Sequence, residues 1–381
     1  MEDNEDQREN DIQNKKNNLD HIDDGILAKY EIINKVGRGA YGIVWKAIEK
    51  KNREVVALKK IFDAFANSTD AQRTFREVFL LSEMGQHDNI INLLNVKRAK
   101  NNKDLYLVFD FLETDLHTLI RANICEDIHR QYITYQLLKA LKYIHSGDII
   151  HRDIKPSNIL INQDCLVKLC DFGLARYTFQ TDNQIPLLSD YVATRWYRAP
   201  EILLGSPRYD SSVDMWAVGC ILAELYLNKP LFPGSSTLNQ LSRLIEITGK
   251  PTVQDLQDIH SPLAMTMFES LNLNKDKKPL REVIPNADPQ AHDFISKLLI
   301  FRPSKRMTAV QALNHPYLQR FHNEADEPVC NKDINVPLDD NKKFEVKKYR
   351  EELYKFIERR SKQLRRERRM SNYYMKYRDY N

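Results

Sequence analysis

The chain has 381 residues, 42% of them hydrophobic, and 57 basic against 53 acidic residues leave a net charge of +4. That balance excludes a molecule built as a polycation for nucleic acid, and no apolar run approaches the roughly 20 residues that a membrane-spanning helix needs. Five cysteines, an odd number with no Cys-x-x-Cys pair, fit reduced thiols in cytosol or nucleus better than a disulfide framework or a zinc site.

Residues 1–29 are rich in Asn, Asp and Glu, carry no periodic apolar pattern and are expected to stay disordered; no hydrophobic leader is present, so a soluble intracellular protein is expected. From Tyr30 the pattern becomes strand-like, broken in GRGAYGIVWKA by Gly37, Gly39 and Gly42. Glycines at that spacing let a turn lie close to phosphate oxygens. The same spacing occurs in dinucleotide-binding folds and in plain turns, but a dinucleotide site needs a helix after the third glycine, whereas Ile43, Val44 and Trp45 continue a strand. A phosphate-covering hairpin is therefore expected. In EVVALKKI, strand alternation puts Ala57 and Lys59 on the glycine-loop face and Lys60 on the other, which makes Lys59 the phosphate-contacting candidate.

TDAQRTFREVFLLSEMG reads as a helix with a Thr69–Gln72 capping box and a stop at Gly85. Glu77, set among Phe75, Val78 and Leu81, is expected near the core with Lys59 as its cationic partner, the alternative being a surface pair with Arg73. DLYLVFDFLETDL is a strand running into a connector, where the backbone at Asp110 and Leu112 can meet a flat heteroaromatic base with Phe109 behind it.

RQYITYQLLKALKYIHSG shows a helical apolar stripe at 133, 137, 140, 141 and 144. The segment after it, HRDIKPSN, supplies Asp153 to orient a hydroxyl proton, Lys155 to neutralise developing charge and Asn158 as an oxygen ligand for a metal. VKLC then leads into Asp171, a second metal ligand. Phosphoryl transfer asks chiefly for positioning and charge neutralisation, and this order supplies both. Cys170 is either a thiol facing the nucleotide or a small buried hydrophobe. DMWAVGCILAELYL is apolar all round, as a buried helix is, with Asp214 expected on the backbone of the HRDIKPSN loop.

With HRDIKPSN at 151–158, CDFGLAR at 170–176 and VATRWYRAPE at 192–201, the chain resembles a eukaryotic protein kinase over residues 30–358. NKPLFPGSSTLNQLSRLIEITGKP and EVKKYREELYKFIE are similar to the mitogen-activated protein kinases. RTFREVFLL, YLVFDFLETDL and VPLDD resemble their atypical extracellular-signal-regulated branch, the mitogen-activated protein kinase 15 type. The resemblance implies an α+β bilobal fold, with a small antiparallel β-sheet lobe at 30–112 and a mostly helical lobe at 113–318. A C-terminal extension returning to the first lobe follows at 319–358, then a basic tail at 359–381.

It implies ATP with two Mg²⁺ ions, contacts to the nucleotide from Val36, Val44 and Leu160 besides the residues above, and Thr194 bracing Asp153 and Lys155. It implies a switch at Ser189 and Tyr191, read by Arg76, Arg152, Arg176, Arg195 and Arg198 and set by autophosphorylation, with Ser-Asp-Tyr where the family has Thr-x-Tyr. Proline-directed transfer to Ser/Thr, a Glu201–Arg306 pair and a monomer follow from the same likeness. HNEADEP implies an acidic docking patch for basic peptides, weakened by Asn323 and carried by Asp326, Glu327 and Asp164. A non-catalytic scaffold of this fold would be expected to have lost Lys59, Asp153 or Asp171, and all three are present. The branch suggests cytoplasm and nucleus, with cilium, basal body or cytoskeleton. The tail, with seven basic residues between 359 and 369, reads as a solvated helix face, an import signal or a nucleic-acid contact, the last not expected.

Overall fold

The structure, a computed structural model, describes residues 21–39, 42–84, 86–177, 195–271, 277–331, 334, 336–340 and 342–378. It divides into two compact units: residues up to 78, 92–111 and 342 onward, and residues 79–91 with 112–341.

The first unit is built on a five-stranded antiparallel sheet of order β1-β2-β3-β5-β4, with β1 Tyr30–Gly39, β2 Gly42–Glu49, β3 Val55–Ile61, β4 Leu93–Arg98 and β5 Leu105–Asp110. Alternation along β3 does what the pattern requires. Val56, Leu58 and Lys60 are buried on one face, while Ala57 and Lys59 stay half-buried on the other. Gly42 is fixed by this sheet, because a Cβ there would collide with the carbonyl oxygen of Lys60, whereas Gly37 and Gly39 have open space around them.

The buried face corrects one expectation. Residues 24–27 form a short helix, α1 (Asp24–Leu27), and Ile22 and Ile26 join Tyr30, Ile43, Trp45, Val56, Leu58, Tyr106 and Val108 in a single core cluster. Two isoleucines four apart bury enough apolar surface to order this stretch despite its polar surroundings. Lys60 turns away from Lys59 as expected, but into this core. Its ammonium is held by the His21 carbonyl at 2.8 Å and the Asp104 carboxylate at 3.3 Å.

Helix α2, Ser68–Met84, is capped by Asn67, whose Oδ1 accepts from the amides of Thr69 and Asp70 at 2.9 and 3.0 Å; this replaces the Thr69–Gln72 box read from the sequence. Gly85, its expected stop, lies outside the described residues. The C-terminal helix, Val346–Arg378, packs in the same unit. Tyr349 meets Phe75 at 5.5 Å, Tyr354 meets Phe65 at 5.8 Å, and the Arg98 guanidinium lies 3.9 Å over the Tyr354 ring. This helix runs unbroken through the basic stretch, and Arg360 donates to the Leu93 carbonyl at 3.3 Å.

In the second unit α3 (Leu116–Ala122), α4 (Asp127–Ser146), α5 (Pro200–Leu203) and α6 (Ser212–Leu227) are joined by further short helices. Every residue of α6 from Val213 to Tyr226 is buried, as its largely apolar sequence demands, and the expected stripe of α4 is buried too. Around the loop of interest lie β6 (Thr114–Asp115), β8 (Ile159–Ile161) and β9 (Val167–Leu169) in one small sheet, and β7 (Ile149–Ile150) paired with β10 (Arg176–Tyr177). Arg306 clamps Glu201 with two contacts of 2.6 and 2.7 Å, the pair expected from the sequence. No helix among the described residues is long and apolar enough to cross a membrane.

Candidate active site

In the first unit the Lys59 ammonium donates to Glu77 Oε1 at 2.9 Å and Oε2 at 3.2 Å. The carboxylate is buried because its neighbours on α2 are core residues, and a charge taken out of water needs such a partner. Lys59 keeps 28% of its side-chain surface, so its ammonium is pinned without being sealed in. Around it, Val44 stands opposite Lys59 across β2–β3, Ala57 stands opposite Phe109 across β3–β5, and the Phe109 ring lies 5.9 Å from the ammonium. Val36 is exposed on β1. Asp110 is tied to Asn92, which donates from Nδ2 to its carboxylate at 2.9 Å.

In the second unit a buried aspartate organises the HRDIKPSN loop. Asp214 accepts the amides of His151 and Arg152 at 2.9 and 2.8 Å and meets His145 Nε2 at 2.9 Å. Complete burial pushes its carboxyl up, but the hydrogen bonds from His145 and from the His151 amide outweigh that and hold it below the ordinary carboxylate range. The two captured amides also explain how Arg152 sits at φ +69°, a left-handed conformation that a non-glycine residue adopts only when its surroundings impose it. His151 is fixed at both ring nitrogens. Nδ1 accepts the Asp153 amide at 3.3 Å, and Nε2 faces the Cys170 carbonyl at 3.0 Å, which can only accept; the proton therefore sits on Nε2.

Asp153 is the product of this scaffolding. Its Oδ2 receives Lys155 at 2.7 Å and the Asn158 amide at 3.0 Å. Its Oδ1 is buried with no hydrogen-bond donor among the described residues. A buried carboxylate oxygen without a donor carries a desolvation cost, and an incoming hydroxyl relieves it. The Asn158 amide nitrogen is spent on Asp153, which leaves its oxygen as the ligating atom, and the Cys170 amide donates to the Asn158 carbonyl at 2.9 Å, tying Asp171 to the loop. Asp171 stands at φ +62°. Among the described residues no three His, Cys, Asp or Glu side chains gather as a closed metal cage. Two oxygen donors, Asn158 and Asp171, instead fit Mg²⁺, which keeps waters and takes phosphate oxygens as its remaining ligands. Leu160 is half-buried on β8, Leu112 is buried, and Cys170 is half-buried.

The arginines expected to read phosphate divide between the units. Arg76 is buried in the first unit; Arg152, Arg176, Arg195 and Arg198 are in the second. Arg195 donates to the Ser235 carbonyl at 3.4 Å, and Arg176 meets Asp340 at 3.3 Å. Ser189, Tyr191 and Thr194 lie outside the described residues. In the docking patch Asp164 is exposed, and Asp326 accepts from Asn323 at 2.6 Å. Glu327 does not serve there. It is buried on Lys142 at 3.2 Å and His322 at 2.8 Å, and although burial raises its carboxyl, the hydrogen bonds from these two side chains hold it below its usual range. Its charge is consumed inside the fold.

Two groups near the loop escaped the sequence reading. Asp340 served only as part of a family signature. Glu224 sits inside the apolar α6 run, where it accepts from the Tyr197 hydroxyl at 2.7 Å at the edge of a cleft of about 510 Å³ lined also by Lys155, Ser157 and Trp196. A lone acid in such a run is a visible signal of a buried polar pair.

A protein kinase domain model matches residues 30–318. Extracellular signal-regulated kinase 2 of Dictyostelium discoideum is 55% identical over 347 residues, 90% of this chain and 94% of that protein. The chain belongs to the mitogen-activated protein kinase family. Within it, mitogen-activated protein kinase 15 of Xenopus laevis is 56% identical over 92% of this kinase and 60% of its own length, and that of Caenorhabditis elegans is 48% identical over 91% and 75%. The kinase thus spans nearly all of the Dictyostelium protein and about three fifths of the frog one. The bilobal kinase fold and protein serine/threonine kinase activity expected from the motifs are those of its family.

Proposed function

We propose that this kinase transfers the terminal phosphoryl group of Mg-ATP to Ser or Thr followed by Pro, and that phosphorylation of Ser189 and Tyr191, by the kinase itself, activates it. The observation that carries the transfer reading is the buried Oδ1 of Asp153, which has no donor among the described residues, beside Lys155 and Asn158. A substrate hydroxyl donating there has its oxygen turned toward the phosphoryl group, with Lys155 at hand to neutralise charge. Asn158 and Asp171 would hold Mg²⁺, which would supply neutralisation of phosphate charge, and Lys59, steadied by Glu77, would contact the nucleotide phosphates.

Proline preference rests on Arg198 satisfying loop backbone that would otherwise demand an N–H from the substrate, a demand proline cannot meet. Docking of basic peptides rests on Asp164 and Asp326 and is weak. We place the kinase in cytoplasm and nucleus, with cilium, basal body or cytoskeleton as further stations, acting as a monomer. The full chain made in bacteria, free of other eukaryotic kinases, should carry phosphate on Ser189 and Tyr191 by mass spectrometry and should phosphorylate a Ser-Pro peptide far faster than its Ser-Ala counterpart. An unmodified Tyr191 sinks autophosphorylation; equal rates on the two peptides sink the proline preference.

A further inference from the structure

Strand β10 brings Arg176 to the catalytic loop. It pairs with β7, Arg176 opposite Ile150, and β7 runs directly into His151 and Arg152. Arg152 donates from Nη1 to the Leu174 carbonyl at 3.2 Å and Arg176 from Nη1 to the Ala175 carbonyl at 3.0 Å, so two guanidinium groups share this edge of the loop. Like charges so placed call for an anion.

The chain supplies one. Asp340 Oδ2 lies 3.3 Å from Arg176 Nη1, with the two side chains only 7% and 14% exposed. Asp340 lies two residues past the buried Leu338. Beside it the Tyr177 hydroxyl is buried with no hydrogen-bond partner among the described residues, and burial, followed by the nearby carboxylates of Asp340 and Glu83, pushes its ionisation far up. Negative charge is thus built into this corner.

We propose that Asp340 is a built-in stand-in for the activation-loop phosphate, a positioning residue that orders Arg176, and through it the catalytic loop, before any phosphate is present. A carboxylate and a phosphate engage a guanidinium through the same charge-assisted hydrogen bonds, but the carboxylate brings one charge where phosphate brings nearly two, so its support is partial. That partial order gives the unphosphorylated kinase enough turnover to modify its own loop. When phosphate arrives, like-charge repulsion displaces Asp340 and phosphate takes over. The inference rests on reading Ser189 as the phosphate-bearing residue, and its test is separable from that reading.

The full-length Ser189→Ala/Tyr191→Phe protein, which cannot be activated by loop phosphate, is assayed on a protein substrate with and without Asp340→Asn. Basal kcat should fall about fivefold, the factor that roughly 1 kcal/mol of lost order represents, with KM for ATP unchanged and Asp340→Glu restoring the rate. In otherwise wild-type protein incubated with Mg-ATP until loop phosphorylation is complete, Asp340→Asn should leave kcat within twofold. An unchanged or raised basal rate in the double variant overturns the proposal, because Asp340 would then be inert or a brake. An equal loss in the phosphorylated enzyme also overturns it, because Asp340 would then serve folding alone. Absence of autophosphorylation in the wild type overturns the self-modification step; a basal rate that still falls with Asp340→Asn then supports Asp340 as the positioning residue, and one that does not overturns it.

Discussion

The ion pair Lys59–Glu77 in the first unit and the pair Arg306–Glu201 in the second are made of the same chemistry, yet their surroundings differ. Lys59 keeps 28% of its side-chain surface, while Arg306 keeps none and also donates to the carbonyls of Ile300, Ser212 and Phe301. A pair whose cation is sealed and fully hydrogen-bonded fixes a scaffold. A pair whose cation keeps part of its surface open to solvent, as Lys59 does, stays accessible to a ligand. The difference predicts that damage to the open set removes activity and damage to the closed set removes stability.

The sharpest cut is at Asp153. Asp153→Asn should lower kcat by about 10²–10⁴-fold, the worth of a positioned proton acceptor, with thermal unfolding unchanged within about 1 kcal/mol. Lys59→Arg should behave similarly. It keeps the charge on Glu77, so the loss of a partly exposed pair costs at most about 1 kcal/mol, but a planar guanidinium cannot replace a compact ammonium on phosphate. Comparing kcat with the melting curve of each variant checks both claims; a melted Lys59→Arg would erase the contrast between the two pairs.

Glu201→Gln is the converse. It leaves the Arg306 guanidinium buried without its counter-charge, which should cost about 3–5 kcal/mol by urea unfolding. Specific activity per folded molecule should persist. Replacing both partners by Met and Leu should recover much of the stability, because breaking a buried pair costs far more than never having made it.

How far the sequence reached follows the same division. Lys59, Glu77, Asp153, Asn158, Asp171 and Asp214 were legible because each occupies a fixed place in a short motif, and because strand alternation separates Lys59 from Lys60. Residues 22–28 were not legible. Their composition is that of a disordered segment, and only the sheet they cover reveals that Ile22 and Ile26 have somewhere to go. Glu327 failed for the opposite reason. An acidic loop looks solvated in sequence, and nothing in HNEADEP shows that Lys142, 185 residues away, reaches it at 3.2 Å. Ile26→Ala tests the first of these: removing a buried isoleucine from a real core should cost about 2–4 kcal/mol in unfolding, and a cost near zero would return residues 21–29 to the disordered segment.

The smallest effect, and the one that separates a scaffolding acid from a working one most finely, is at Glu224. Burial lifts its carboxyl to about 7, with the Tyr197 hydroxyl pulling the other way. The folded state therefore binds a proton more tightly than the unfolded chain, in which a glutamate titrates near 4.5. Stability from this group is fully present below about pH 4.5 and is lost as pH rises through about 7. Glu224→Gln, which keeps the hydrogen bond from Tyr197 but cannot ionise, should remove that slope. Melting temperatures across this window should fall more gently with pH in the variant than in the parent. Identical slopes would mean that the carboxylate is already charged in the fold and that the cleft beside Lys155 is an acidic one.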